Sequence, residues 1–574
     1  MPLDAQQPHQ PVGQDAVPDS RGSNLYAADP VMHRLAGLYL PPALLDHLAP
    51  HLHRLGGLAG GALDELAGTA DRNPPVLRPR TRTGADAARI EKHPAYREME
   101  RLAFGEYGLA ALSHRGGVLG WPESMPPAAK YLLTYVFAQA EFGLLCPVSM
   151  TDSLTRTLRR FGDPDLVARH LPSLLSGDLD GLCQGSMFMT EQGAGSDVGA
   201  TAVTARQDVD GTWRLHGDKW FCSNPDAGLA MVLARPEGVG AGIKGIALFL
   251  LPRTLPDGSP NAARIVRLKD KLGTRSMASG EVRLEGAEAW LVGDVGAGFR
   301  QMADMVNNSR LSNGVRAAGL MRRAVFEAVF VARRRVAFGS HLVDMPLMRR
   351  QLAKIVLPAE QARSMMFQAA DALRRADAGE EGAYALLRIL TPLLKFRACR
   401  DARRVTGDAM EVRGGCGYIE EWPDARLLRD AHLGSIWEGT SNVVAMDVLR
   451  AARREGAGAV LRAHLHGLAG EDVLGALPSL DRALALLDRA QDDPALTRQA
   501  ATALYNVASA VVMGWEAARL GDGARLALAR AVMTHRVLPR DPLGVQAGEA
   551  GGEGGIMAML DAVAPRSEAQ QPSP

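Results

Sequence analysis

The feature that most constrains this fold is a change of hydrophobic period, from helical to strand-like near residue 181 and back again near 297. Before the switch, Ala129, Leu132, Leu133, Val136 and Phe137 recur at helical spacing. Thr151–Asp152 reads as the cap that opens a second helix. After the switch, short β-type runs follow closely: Thr201–Arg206, Trp213–Leu215, Lys219–Ser223, Met231–Ala234, Ile246–Leu251, Arg264–Leu268 and Gly280–Leu284. Asp210–Gly211 punctuates them as a turn. Beyond 297 the helical period returns through Phe299, Met302 and Val306. It persists in a further segment, where Leu480, Ala483, Leu484 and Leu487 share one face. Blocks of helix, strand and helix kept apart in this way predict an α+β chain, not an alternating α/β one. The expected organisation is a disordered tail over 1–22, an N-terminal helical domain over 23–180 and a middle β domain over 181–293. A C-terminal helical bundle over 294–452, an additional helical segment over 453–540 and a second disordered tail over 541–574 complete it.

The 574 residues exceed what one compact core holds. Their net charge of +1 gives no global pull toward nucleic acid or membrane. No run approaches the ~18–20 apolar residues that span a bilayer. Five cysteines, at 146, 183, 222, 399 and 416, form neither a C-x-x-C pair nor a zinc spacing, so no metal site is expected. Such a sparse, odd set fits a reducing cytoplasm better than a disulfide framework.

Three stretches carry chemistry. In Met189-Thr190-Glu191-Gln192-Gly193-Ala194-Gly195-Ser196-Asp197-Val198, two glycines let backbone approach a ligand and the hydroxyls can donate. A dinucleotide fingerprint would need a third glycine at Val198, so that class is excluded. Alone, the stretch suits a surface turn equally well. In Lys219-Trp220-Phe221-Cys222-Ser223-Asn224, strand alternation puts Phe221 and Ser223 on one face, where a ring beside a hydroxyl suits a flat heteroaromatic partner. An ordinary core strand explains the same pattern. In Ser435-Ile436-Trp437-Glu438-Gly439-Thr440, apolar neighbours can desolvate a carboxylate and make it a stronger base. A helix-capping glutamate on a turn is the plainer alternative.

Taken as a set, the residues resemble the acyl-CoA dehydrogenase family across about 23–452. The motifs are TEQGAGSDV at 190–198, KWFCSN at 219–224, RVAFG at 335–339, GGCGY at 414–418 and IWEGTSN at 436–442. The chain resembles the AidB-type subgroup more closely still. Ser23-Asn24-Leu25-Tyr26, Asn73-Pro74-Pro75, Cys146–Thr151 and Arg267–Gly273 carry that likeness, with the extra helical segment beyond 452.

The resemblance implies a helical N-terminal domain, a β-barrel-like middle domain, a C-terminal four-helix bundle and an extra helical segment. It implies FAD, held by Met189, Thr190, Gly195, Ser196, Phe221, Ser223, Arg335, Phe338, Gly414, Gly415, Thr440, Ser441 and Asn442. Ser223 matches the hydroxyl facing flavin N5. Arg335 matches an arginine that reaches the pyrophosphate of a neighbouring subunit's cofactor, which implies a homo-oligomer, a tetramer by analogy. Ser196, Arg310 and Gly439 match substrate contacts, and Glu438 matches the base. The residue before Arg310 is Ser309, so the base some relatives carry there is absent. The implied reaction is α,β-dehydrogenation of an acyl-CoA, with electrons passed to an electron-transfer flavoprotein or another acceptor.

Three residues depart from the family pattern. Glu411 replaces a usual glutamine, Asn307 a frequent aspartate, and Met345-Pro346 a cofactor-contacting His-Gln pair. These put efficient turnover in doubt more than flavin binding. The competing reading is a DNA-associated flavoprotein of the stress response, with Arg450, Arg519 and Arg525 as candidate DNA contacts. That role asks for a basic C-terminal surface. Residues 451–574 contain 12 arginines, no lysine and 14 acidic residues.

Overall fold

A computed structural model describes residues 17–539 and 560–561. Residues 1–16, 540–559 and 562–574, which include most of the two expected tails, lie outside them. Some of the described tail residues are packed. The Ser20 hydroxyl is buried and donates to the Glu327 carboxylate at 2.7 Å, and Leu560 is fully buried.

Early helices are α1 (Pro30–Ala36), α2 (Pro42–Ala59) and α3 (Ala62–Arg72). A hairpin of β1 (Val76–Arg80) and β2 (Asp86–Glu91) interrupts this mostly helical stretch. It is followed by α4 (Pro94–Glu100), α5 (Pro127–Ala138), α6 (Leu145–Phe161) and α7 (Pro164–Leu174). Asp29 and Asp163 cap α1 and α7 through their side chains, and a proline opens each helix. The helix expected to start at Thr151–Asp152 instead runs straight through, as α6. Thr151 donates to the Pro147 carbonyl and accepts from the Gly185 amide, while Asp152 meets His114. Tertiary partners occupy both side chains, leaving neither to cap.

The chain divides into two compact units. One contains Glu65–Met125 and Glu141–Ser312. Its strands are β3 (Gly185–Phe188), β4 (Thr204–Gln207), β5 (Trp213–Ser223), β6 (Leu229–Pro236), β7 (Ala247–Pro252), β8 (Ala263–Leu268) and β9 (Ser279–Val292). The pairings β6–β4, β4–β5, β5–β9, β9–β7 and β7–β6 close a ring, with β3 and β8 attached outside it. That is the barrel-like middle domain. Strand β7 is buried on both faces. Phe249 and Leu251 point into the cluster with Leu215 and Val282, while Leu248 and Leu250 pack with Leu154, Leu158 and Met302. Hence the run 246–251 is continuously apolar instead of alternating.

The other unit contains the residues up to Asp64, Pro126–Ala140 and those from Asn313 on. After α8 (Gly298–Arg334) comes a short hairpin of β10 (Val336–Ala337) and β11 (Ser340–His341). The helices α9 (Pro346–Asp377), α10 (Ala383–Arg413), α11 (Pro423–Gly434) and α12 (Ser441–Arg454) follow. Then come α13 (Ala457–Ala469), α14 (Leu477–Arg489), α15 (Thr497–Leu520) and α16 (Gly523–Val532). Helix α5 is buried all round, so its apolar residues form no single stripe.

A chain of buried charges joins this unit's parts. Asp29 binds Arg322 at 3.0 Å and Arg363 at 2.7 Å; Arg363 pairs with Glu360; Arg525 reaches Glu360 at 2.9 Å and Glu516 at 2.6 Å. The segment beyond 452 is thereby built into the same helical core as residues near the N-terminus. Among the described residues, no helix is long and apolar enough to cross a membrane.

Candidate functional site

The Gly-rich stretch and β5 lie in the barrel unit and are tied together. The Trp220 amide donates to the Thr190 carbonyl at 2.8 Å. Glu191 and Ala194 exchange backbone hydrogen bonds across a tight turn. Beneath the turn, Lys219 is fully buried and its ammonium lies 2.6 Å from the Glu191 carboxylate. That carboxylate also accepts from the Ala202 amide at 2.7 Å. Burial pushes the lysine pKa down, and Glu191 opposes the shift. The paired charges fix the base of the turn while its upper side stays open. A Cβ at Gly193 or Gly195 would meet nothing within 4 Å, and Ser196 is exposed.

Strand β5 carries a bulge between Lys219 and Cys222. Lys219 and Cys222 are therefore both buried although three apart. Phe221, 57% exposed, and half-buried Ser223 flank Cys222 on the outer side, as alternation requires. The Lys269 ammonium caps the Trp220 ring at 3.4 Å from its centroid and lies 4.9 Å from that of Phe221. Just after Ser223 the chain turns at Asn224, at φ 53°, where the side chain amide donates to Gln184 at 3.0 Å. Asparagine is among the few residues that adopt this left-handed conformation readily. Half-buried Arg310 holds Asn307 at 3.2 Å.

In the helical unit, Phe338 and Gly339 form the two-residue loop between β10 and β11. Both have positive φ (52° and 77°), as type I′ hairpins require. Phe338 is 99% exposed. The exposed Arg335 guanidinium donates to the Arg413 carbonyl at 3.0 Å, next to Gly414. Among the described residues, it meets no carboxylate. Gly415 is open, with nothing within 4 Å of a Cβ. Glu411 is exposed.

Glu438 lies in the connection from α11 to α12. It is half-buried with φ 56°, and Gly439 follows at φ 102°. A glutamate in the left-handed region is strained and persists only where the surroundings enforce it. Thr440, not Glu438, occupies the N-cap position of α12, so capping does not explain the glutamate. Cations from two helices surround this connection. Arg403 donates to the Ser435 hydroxyl at 3.4 Å, and Arg316 lies 4.9 Å over the Trp437 ring. Lys395 donates to the Gly439 carbonyl, and Arg400 to the Ser441 hydroxyl at 3.2 Å. Asn313 holds the Gly434 carbonyl at 3.1 Å. Burial pushes the Cys399 thiol up to about 12; Lys395 and Arg316 oppose the shift and Glu438 adds to it. Lys395 and Arg316 escaped the sequence reading. One signal was available: a lone lysine inside Leu393-Leu394-Lys395-Phe396, an apolar run where an unpaired charge is costly.

Of the three arginines read as DNA contacts, Arg525 is corrected. It is 1% exposed and neutralised by Glu360 and Glu516, so it presents no charge to a phosphate. Arg536, farther along the chain, is engaged by Asp401 at 2.9 Å. Arg519 is exposed, and Arg450 is exposed and paired with Asp447 at 3.1 Å.

Three family models match in succession. Residues 15–181 match the adaptive response protein AidB N-terminal domain, 186–287 the acyl-CoA dehydrogenase middle domain, and 296–452 the acyl-CoA dehydrogenase C-terminal domain. The AidB protein of Escherichia coli (strain K12) is 38% identical over 407 residues, covering 68% of this chain and 71% of its own. The chain belongs to the acyl-CoA dehydrogenase family, in its AidB-type branch. Another relative of this AidB-type dehydrogenase homologue is acyl-CoA dehydrogenase family member 11 of Caenorhabditis elegans. It is 33% identical over 439 residues, covering 74% of this chain and 70% of its own. The crystal structure of ACDH-11 from that organism, in complex with C11-CoA, matches with a TM-score of 0.84 at 26% identity. The match covers 94% of this chain and 96% of that one. The family is one of flavin-dependent oxidoreductases, and its fold of helical end domains about a middle β domain is the one described above.

Proposed function

We propose that this AidB-type protein is an FAD-dependent acyl-CoA dehydrogenase in which Glu438 removes the α-proton of a CoA thioester. The observation that carries the reading is Glu438 itself: half-buried and spared from capping α12, on a strained left-handed connection whose neighbouring residues are held by Lys395, Arg316, Arg400 and Arg403. The relative crystallised with C11-CoA supports a CoA thioester as the substrate class.

The residues present suit a flavin. No hydrogen bond ties the Thr190, Ser196 or Ser223 hydroxyl to another described residue, so these donors remain for a ligand. Gly193, Gly195 and Gly415 leave room for close approach. Arg335 offers a guanidinium suited to a pyrophosphate. Bound there, FAD supplies the acceptor for the β-hydride.

A proton α to a thioester is only weakly acidic, and hydrogen bonds that polarise the carbonyl stabilise the enolate as it forms. Glu438 takes that proton and is held at a fixed position by its clamped connection. The family resemblance assigns Gly439, Ser196 and Arg310 to the substrate. The same resemblance assigns Phe221 and Ser223 to the flavin ring, and Thr440, Ser441 and Asn442, at the start of α12, to further contacts they would make with the cofactor. The exposed hairpin bearing Arg335 and Phe338 suits a second subunit, so we read the protein as a homo-oligomer. Electrons leave to an electron-transfer flavoprotein or a comparable acceptor in the cytoplasm.

Anaerobic titration of the purified protein with acyl-CoAs from short branched to long tests this. Bleaching of the flavin is expected with at least one chain length. Glu438→Gln should keep its FAD and lose reduction by about 10²–10⁴-fold. No bleaching across the whole panel removes the dehydrogenase reading and leaves flavin binding untouched.

A further inference from the structure

One buried cation holds the connection that carries the proposed base. Lys395 is 1% exposed, within an apolar run of α10, and an ammonium removed from water is costly without compensation. Its ammonium donates to the carbonyl of Gly439, the residue directly after the base. Glu438 and Gly439 are consecutive positive-φ residues, at 56° and 102°. Holding the Gly439 carbonyl fixes the peptide plane that follows the pair and opposes relaxation of Glu438 into an ordinary backbone region. Cys399, one helical turn beyond Lys395, feels the charges of Lys395, Glu438 and Arg316 together, so all four groups share one neighbourhood. Arg316, stacked on Trp437, holds the other side of the same connection.

We propose that Lys395 is a positioning residue for proton abstraction: by pinning the Gly439 carbonyl it keeps Glu438 left-handed and aimed at the substrate α-carbon, without touching substrate or flavin. The proposal rests on the reading of Glu438 as the base. A purely architectural lysine and a positioning lysine differ in what its loss changes. The first lowers stability and flavin content. The second leaves both intact and slows the proton step.

The test uses the full-length FAD-loaded enzyme, with Lys395→Met, Lys395→Arg and Glu438→Gln compared in anaerobic rapid-mixing reduction by the best acyl-CoA of the panel. Lys395→Met is expected to hold FAD, to bind the thioester with unchanged Kd, and to reduce its flavin about a hundredfold more slowly, as misplacement of a reacting group does. Its α-deuterium isotope effect should rise, because proton transfer then limits the rate. Lys395→Arg keeps a buried cation and donor, and should recover part of the loss. A Lys395→Met enzyme as fast as the parent, beside a slow Glu438→Gln, overturns the positioning role alone. So does a Lys395→Met enzyme that sheds its flavin while Lys395→Arg, fully loaded, reduces no differently from the parent in rate and isotope effect. A fast Glu438→Gln instead removes the base assignment on which the proposal stands.

Discussion

Each of the two regions that carry the candidate chemistry rests on one buried lysine, and the two lysines hold different groups. Under the Gly-rich turn, Lys219 meets the carboxylate of Glu191, which also accepts backbone amides, so the charge is closed off locally. Beneath the base, Lys395 meets a backbone carbonyl, and the nearby carboxylate is the one assigned to chemistry. The first arrangement stabilises a platform whose upper surface is left to glycines and unengaged hydroxyls. The second supports a strained backbone at the proposed base. A cofactor surface has to be open and firm; a base has to be held where it would not rest by itself.

This contrast makes the two lysine pairs separable by experiment. The largest stability effect is expected at the platform. Glu191→Gln leaves Lys219 buried without its counter-charge and should cost about 3–5 kcal/mol, read as a fall in the denaturation midpoint. A loss below about 1 kcal/mol would mean that the pair is not the anchor of the turn.

A slightly smaller effect is expected on the pH dependence of the helical unit. Burial pulls the His464 imidazole down from 6.5 to about 4, where it bonds Gln368 at 2.9 Å. As pH falls, the unfolded chain takes up this proton before the folded one does. The stabilisation is therefore complete above pH 6.5 and fades toward pH 4, by about 3 kcal/mol in all. His464→Gln should flatten that part of a stability-against-pH curve; an unaltered slope refutes the assignment.

The smallest effect concerns the hairpin. Arg335→Gln should weaken FAD binding by about 1.5–3 kcal/mol, the range for hydrogen bonds to a charged group, with the melting temperature of the apoprotein unchanged. If apoprotein stability falls instead, Arg335 serves the Arg413 carbonyl and not a cofactor.

Much of the molecule was legible in residue order. The period changes near 181 and 297 match the starts of β3 at Gly185 and α8 at Gly298 closely, because burial of one face imposes its spacing on any element. Thr151 misled because a hydroxyl suited to capping was used by Gly185, 34 residues away. Arg525 misled for the same reason: spacing along a helix says where an arginine points, not that Glu360 and Glu516 wait there.

The sequence by itself therefore determined the order of helical and β blocks, the family, and the motif that contains Glu438. Each depends on neighbours a few residues apart or on the identity of the residues themselves. Only the tertiary structure decided that β6, β4, β5, β9 and β7 close into a ring, that Arg525 is buried, and that Lys395 and Arg316 meet the residues on either side of Glu438. Those outcomes rest on meetings between distant segments. Charge and burial act through space, so their effect on a side chain is fixed only once the chain has folded.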